Sequence, residues 1–167
     1  AVITDPASTA WLLNVRGGDV PNTPLPLSFA ILDNEGEVAW FVDPRKITDE
    51  LDSFLGSQIT RFKMDDFSNA LQKLGISNRR VQIDPTESAH WIVEKLRQSG
   101  AQLDLSDDPC ALPKACKNVA ELDGARAAHR RDGVALSQFL AWFDENALSG
   151  AVTELSVEEK LSSLRGA

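Results

Sequence analysis

The chain has few of the residues that most often carry chemistry, and little positive charge to balance its acids. There are 2 cysteines, 2 histidines and 17 basic residues against 25 acidic ones, for a net charge of −8. Cys110 and Cys116 stand too far apart for the paired Cys-x-x-Cys knuckles of structural zinc, and His129 is the nearest further ligand type. Free thiols in a reducing compartment are expected. A chain of 167 residues buries about 70 % of its unfolded surface, so it needs no disulfide. Phosphate recognition rests on clustered Lys and Arg, and the deficit of both excludes a general nucleic-acid or anionic-membrane surface. The one basic cluster, Arg126, Arg130 and Arg131, lies among acidic neighbours and reads as a solvated helix face.

Other absences narrow the field further. No apolar run approaches the roughly eighteen residues of a membrane span, and no basic-then-apolar signal opens the chain. A cytoplasmic location is expected. There is no Gly-x-Ser-x-Gly elbow, no glycine-rich phosphate loop after a strand, and neither His90 nor His129 belongs to a His-x-x-x-His pair. A two-metal nuclease needs carboxylates converging on central strands. Asp43 and Asp84 do come after strand-like runs, but each precedes a proline and is explained as a turn or cap.

What is present is an alternation of short apolar runs and amphipathic stretches. Ala10 to Val15 (AWLLNV) is a continuous apolar run that predicts a central strand, ended by Arg16, Gly17, Gly18 and Asp19 and a proline-rich loop. Leu27 to Leu32 and Glu37 to Val42, joined by the Asp33 to Gly36 turn, predict a hairpin. Thr48 caps a helix closed by Gly56. Ile59 to Met64 is a strand, Asp65 or Asp66 opens a helix closed by Gly75, and Val81 to Ile83 is the next strand. Asp84, Pro85 and Glu87 form a capping-box pattern predicting a helix from there to Gly100, with a last strand over Gln102 to Leu105. The order β-β-β-α-β-α-β-α-β predicts an α/β fold, a three-layer mixed sheet with ribonuclease-H-like strand order.

Beyond Asn118 one helical pattern runs for about thirty residues. Leu122, Ala125, His129, Asp132, Leu136, Phe139 or Leu140, Phe143 and Ala147 recur in steps of three and four, on one face. That face is expected to be buried, with His129 and Asp132 as a buried polar pair and another backbone packed close to Gly133. Ser156 to Glu159 reads as a capping box opening a short last helix through about Leu164. The predicted organisation is an α/β domain over 1–108, a linker over 109–117 and a helical segment over 118–167.

Two blocks carry a resemblance. Lys114, Lys117, Asn118, Glu121, Leu122, Gly124, Arg126, Ala128, His129, Asp132, Gly133, Ala135, Phe139 and Trp142 form the first; Ala10 to Asp19 with Pro24 and Ser28 form the second. Together they resemble the Xaa-Pro aminopeptidases, the pita-bread metallopeptidases of the creatinase and prolidase group. The match spans nearly the whole chain and is to the second domain of the three-domain members plus the first helices of the catalytic domain. Gly18 departs from the small polar residue expected there. The resemblance implies a creatinase N-terminal type α/β domain followed by the truncated start of a pita-bread domain, and a parent protein that removes an N-terminal residue preceding proline. It implies two divalent metals in the parent, usually manganese, held by two aspartates, a histidine and two glutamates that lie beyond this stretch.

No catalytic residue or metal ligand is therefore expected in this chain, and His129 is not carried over as one. The chain is expected to bind no cofactor and to serve in positioning, covering the active site or forming a homodimer. Arg16 and Asp19 are expected at the mouth of the substrate pocket, or paired with each other or a neighbouring domain. Proline-containing peptides are the expected substrates of the parent; a metal-free relative acting as a peptide- or protein-binding module is the alternative. The start at Ala1 and the end at Arg165, Gly166 and Ala167 are those expected of an excised piece.

Overall fold

The computed structural model describes residues 1–166, apart from the side chain of Ser149. It divides into two compact units, Ala1–Cys116 and Lys117–Ala167. In the first unit the elements are β1 (Val2–Ile3), α1 (Pro6–Leu13), β2 (Phe29–Leu32), β3 (Val38–Phe41), α2 (Asp49–Leu55), β4 (Ile59–Phe62), α3 (Phe67–Ile76), β5 (Arg80–Ile83), α4 (His90–Gln98), β6 (Gln102–Leu105) and α5 (Ala111–Ala115). The strands form one sheet in the order β4-β3-β2-β1-β5-β6. Only β2 runs against the rest: it is antiparallel to β1 and β3, while the β3-β4, β1-β5 and β5-β6 pairs are parallel. The run β3-β2-β1-β5-β6 is the ribonuclease-H-like order, with β4 added beside β3.

Both faces of the central strands are covered, so β2 (FAIL) and β3 (VAWF) are continuous apolar runs, whereas β5 (RVQI) and β6 (QLDL) alternate polar and apolar residues. Successive residues point to opposite faces. Phe41 joins Phe67 and Leu71 of α3 and Ile92, Val93 and Leu96 of α4 in one core cluster. Val38, Trp40 and Val42 join Leu13 of α1, Leu55 of α2 and Cys110 in the other. Phe67 is the pivot of the first core, stacked on Phe29 with centroids 4.6 Å apart and edge-on to Phe41 at 5.1 Å.

The predicted first strand is a helix. Ala10 to Leu13 are its last turn, and the first strand is the two-residue β1 ahead of it. Asp5 accepts hydrogen bonds from the Ala7 N–H (2.9 Å) and the Ser8 N–H (3.1 Å), Pro6 sits in the first turn, and Asn14 ends the helix with φ of 51°. A continuous apolar run has no period of its own, and the start signal five residues upstream decides the matter. Asp84 errs in the opposite sense. Its carboxylate accepts from the Thr86 N–H (2.8 Å) but closes only a turn, and α4 begins at His90 after Ala89.

Two glycines show opposite constraints. At Gly75 an added Cβ would lie 2.1 Å from Ser99 Oγ and 2.5 Å from the Ser99 carbonyl carbon, because the end of α3 passes directly against the end of α4. At Gly133, in the second unit, an added Cβ meets nothing within 4 Å among the described residues. The close packing expected at Gly133 is not found.

The second unit holds α6 (Val119–Asn146), a 3-10 turn and α7 (Glu154–Arg165). Asn118 and Glu121 close a capping box at the start of α6. The last helix is capped by Thr153 with Ser156, so it opens before the Ser156 start expected from the sequence. Phe139 contacts Trp142 and Phe143, and Lys160 of α7 lies 5.8 Å from the centre of the Trp142 ring. Ala135 is the one residue of α6 in the buried class, and the expected buried face is open: Leu140 is 52 % exposed, with Leu122, Leu136 and Phe143 also exposed. A helix pair offers α6 one neighbour, too little to cover a stripe this long.

Gly75→Ala is expected to destabilise the chain by about 1–3 kcal/mol through overpacking. Gly133→Ala is expected to stabilise it by up to about 1 kcal/mol, as alanine replaces glycine in an open helix. Urea unfolding monitored by circular dichroism measures both, and equal effects of one sign would contradict the packing described.

Candidate functional site

β1, β3, β5 and β6 run in one direction, so their carboxyl ends share one edge of the sheet. Each is followed by an Asp-Pro step: Asp5, Asp43, Asp84 and Asp108. In all four the aspartate accepts the N–H two residues on, at Ala7, Arg45 (2.9 Å), Thr86 and Cys110 (2.7 Å). Neighbouring turns are tied together. Asp84 also accepts from the Asp108 N–H at 3.0 Å, Thr4 reaches Ser88 at 2.8 Å, and Lys114 of α5 donates to Asp5 at 2.7 Å and to Ser8 at 3.0 Å. The segment expected to be a linker is thus anchored to α1, and Cys110 within it is buried, its thiol pushed up to about 11 by burial and by Asp108.

The loop that carries Arg16 and Asp19 reaches this same edge beside β3. Arg16 and Asp19 do not pair with each other. Arg16 Nη1 donates to the Val15 carbonyl at 2.9 Å and, more weakly, to the Ala10 carbonyl at 3.5 Å. Asp19 accepts from Lys46 Nζ (2.5 Å) and the Leu27 N–H (2.6 Å), and these two donors hold its carboxyl below the usual aspartate range. Gly17 is required where it stands: a Cβ there would fall 2.7–2.9 Å from Pro26. The loop folds back on itself at that point, leaving a recess of about 260 Å³ walled by Arg16, Gly17, Asp19, Trp40, Lys46 and Leu51, among others.

Two of these walls were not legible as site residues. Lys46 lies 27 positions from Asp19, and nothing in the local sequence joins them. Trp40 reads simply as a strand residue. It is 1 % exposed, yet its indole N–H has no hydrogen-bond acceptor among the described residues. Such a buried orphan donor is uncommon and calls for a partner.

The pair expected on the long helix is arranged differently. His129 is exposed, and Asp132 is half-buried and bound by Arg165 of α7, whose Nε and Nη2 lie 2.7 and 3.3 Å from the carboxylate oxygens. The Arg165 hydrogen bond, and to a lesser degree its charge and that of His129, hold Asp132 below the usual range. Asp132 therefore has an ion-pair partner that sequence spacing did not supply. Among the described residues no group of three or more His, Cys, Asp or Glu side chains is disposed to hold a metal ion. With Asp132 engaged and His129 on the surface, the residues present do not fit the di-metal centre that the resemblance implies for the parent. No helix is long and apolar enough to cross a membrane among the described residues.

Residues 1–121 match the creatinase/prolidase N-terminal domain. Over 168 aligned residues the chain is 36 % identical to Xaa-Pro aminopeptidase 1 of Dictyostelium discoideum, an alignment covering 93 % of this chain and 25 % of that protein. The structure is similar to that of an X-prolyl aminopeptidase from Caenorhabditis elegans, described as a cytosolic enzyme with a di-nuclear active site. The TM-score is 0.80 at 29 % identity, over 99 % of this chain and 28 % of that one. Prolidase from Pyrococcus furiosus shares the fold, with a TM-score of 0.66 at 16 % identity over 99 % of this chain and 44 % of its own. The chain spans about a quarter of the length of the aminopeptidases it matches.

The carboxylates of Asp5, Asp43 and Asp84 all titrate below the ordinary 3.8. At Asp5 burial pushes upward and is outweighed by Lys114 and the capping N–H groups; Asp43 is drawn to about 2 by Arg45, and Asp84 is lowered by Thr86. A carboxylate depressed on folding contributes stability that is complete above its unfolded value and is lost as pH falls through its folded value. The urea midpoint is therefore expected to hold above the ordinary aspartate value and to drop below it. Asp5→Ala, which removes the α1 cap and the partner of Lys114, is expected to cost about 1–2 kcal/mol and to shrink the acid-dependent part. An unchanged acid limb in that variant would show that the Asp5 turn does not carry it.

Proposed function

From the chain's membership of the creatinase/prolidase N-terminal domain family, which its residues 1–121 establish, we propose that it serves a metal-dependent Xaa-Pro aminopeptidase that removes an N-terminal residue preceding proline. The observation that carries this reading is the extent of the likeness. It runs through both compact units, over 93 % of the chain in sequence and 99 % in structure, to proteins named as aminopeptidases of this specificity. The proposed division is an α/β domain over 1–108, a connection over 109–117 and the opening helices of a catalytic domain over 118–167. In this reading the metals, with manganese the proposed pair, are held by residues other than those of this chain, and the setting is cytosolic. The work of this chain is positional: a rigid α/β body whose Arg16 to Asp19 loop lies at the pocket mouth and limits entry to peptides with a free N-terminus.

The loop suits such a task. Asp19 is fixed by two donors and Gly17 is pressed against Pro26, while Arg16 stays exposed on that anchored backbone. A charged group on a fixed loop binds at a smaller ordering cost than one on a mobile loop. Assembly through the open face of α6, as a homodimer or within the rest of the protein, is proposed on the same footing.

The test is cleavage of Arg-Pro-Pro by the full-length protein after chelation and manganese return. Metal-restored release of the N-terminal residue is expected, and full-length Arg16→Ala is expected to raise KM about tenfold while leaving kcat within about twofold. Peptide binding without cleavage at any metal load would replace this reading with that of a binding module. Lowered stability with unchanged kinetics in the Arg16 variant would make the loop purely structural.

A further inference from the structure

Lys114 makes a contact that the turn chemistry of the sheet edge does not require. Each aspartate of that edge accepts an N–H of its own turn. Lys114 of α5 reaches back 109 positions to place its ammonium 2.7 Å from Asp5 Oδ2, and 3.0 Å from Ser8 Oγ. Ser8 closes the triangle by donating to Asp5 Oδ2 at 3.0 Å, and it is fully buried. Cation and carboxylate are themselves covered, with side chains 28 % and 23 % exposed, so water screens them less than a surface pair. α5 gives Lys114 a firm base. Cys110 at its start is buried, the Asp108 N–H donates to Asp84 at 3.0 Å, and Gln82 Nε2 donates to the Asp107 carbonyl at 2.8 Å.

The other end of α1 carries Arg16. Asn14 ends the helix, the Val15 N–H donates back to the Ala10 carbonyl at 3.0 Å, and Arg16 Nη1 donates to the Val15 carbonyl at 2.9 Å. The guanidinium therefore rests on the last turn of the helix whose first turn Lys114 holds. Its 8 residues make a rod of about 12 Å, short enough to move as one body. We propose that Lys114 is a positioning residue for peptide binding, which through Asp5, Ser8 and α1 fixes where Arg16 is presented. Burial of Ala10 and Leu13 holds α1 against the sheet, but apolar contact has no preferred direction along the helix. The charge-assisted hydrogen bonds of Lys114 supply that direction. The proposal rests on the reading of the Arg16 to Asp19 loop as the pocket mouth; the contacts themselves do not.

Two readouts separate the tie from its use. In the 167-residue chain labelled with nitrogen-15, amide exchange at Val15 is expected to be about tenfold faster in Lys114→Met than in the unsubstituted chain. Lys114→Arg, which keeps the charge, is expected to restore it. In the full-length protein Lys114→Met is expected to raise KM for Arg-Pro-Pro about fivefold, equivalent to about 1 kcal/mol, with kcat within about twofold. Made in the Arg16→Ala background, the same change is expected to add nothing, because a residue that acts through Arg16 is silent once Arg16 is gone. If Lys114→Met loses its dispersed spectrum, Lys114→Gln is read in its place. Unchanged exchange at Val15 would overturn the proposal and leave α1 held by burial alone. KM raised by the same factor with and without Arg16 would also overturn it, since Lys114 would then act on stability in general. KM raised in Arg16→Ala but not in Lys114→Met would reduce the tie to a structural contact. KM unchanged in both variants would remove the pocket-mouth reading and the positioning role with it. Should the full-length protein not cleave the peptide, the peptidase reading fails by itself, and the same cycle is read as peptide affinity by calorimetry.

Discussion

Four aspartates, each followed by proline, turn the chain after four of the six strands of this protein. The physics is the same at each: proline removes a donor and holds its φ, and the aspartate oxygen takes the next free N–H. Because β1, β3, β5 and β6 are parallel, all four turns fall at one edge, where Asp84 binds the backbone of Asp108 and Lys114 bridges to Asp5. The edge is therefore a network rather than a row of separate loops. Tertiary context decides which element each turn leads into: an α-helix after Asp5, a 3-10 turn after Asp43, a simple turn after Asp84 and a short helix after Asp108.

That diversity explains which parts of the fold were legible in the sequence. The hairpin of β2 and β3, the Thr48 cap, and the strands and helices from Ile59 to Leu105 arise from local apolar pattern and turn chemistry, and they lie where the pattern puts them within a few residues, except for the start of α4, which comes at His90 and not at the Asp84 turn. α1 did not, because a helix buried on most of its circumference has no polar face to reveal its period. Its buried Ser8 and Thr9 have a local reason: Ser8 Oγ donates to Asp5, and Thr9 Oγ1 donates to the Asp5 carbonyl. The two-residue β1 was too short to leave a sequence signal. Its place in the sheet is set by pairing with Ile31, Ala30 and Ile83, contacts made with residues far along the chain.

The second unit illustrates a different limit. The length and phase of α6 were readable because 28 residues of heptad-like spacing are hard to mistake. Burial was not, since periodicity identifies a face without naming the surface that covers it. Polar residues on that face were assigned to each other by spacing alone, whereas Asp132 is bound by an arginine 33 residues away. A guanidinium fork across a helix pair is a stronger partner for a carboxylate than an imidazole one turn off.

The same distinction between local and distant partners governs the site. Arg16 and Asp19 stood out because glycines and prolines surround them, and the loop they occupy is indeed held in shape by Gly17 against Pro26 and by Asp19 on Leu27 and Lys46. Sequence proximity suggested pairing the two charges with each other. The fold separates their roles: Asp19 is consumed in fixing the loop, and that consumption is what leaves Arg16 partly uncommitted. Had the two formed a pair, the loop would display no surplus charge. With Asp19 spent on Lys46, Arg16 stands exposed on a loop whose shape is already fixed, and the loop's composition becomes a reason for a displayed charge and not only for a turn.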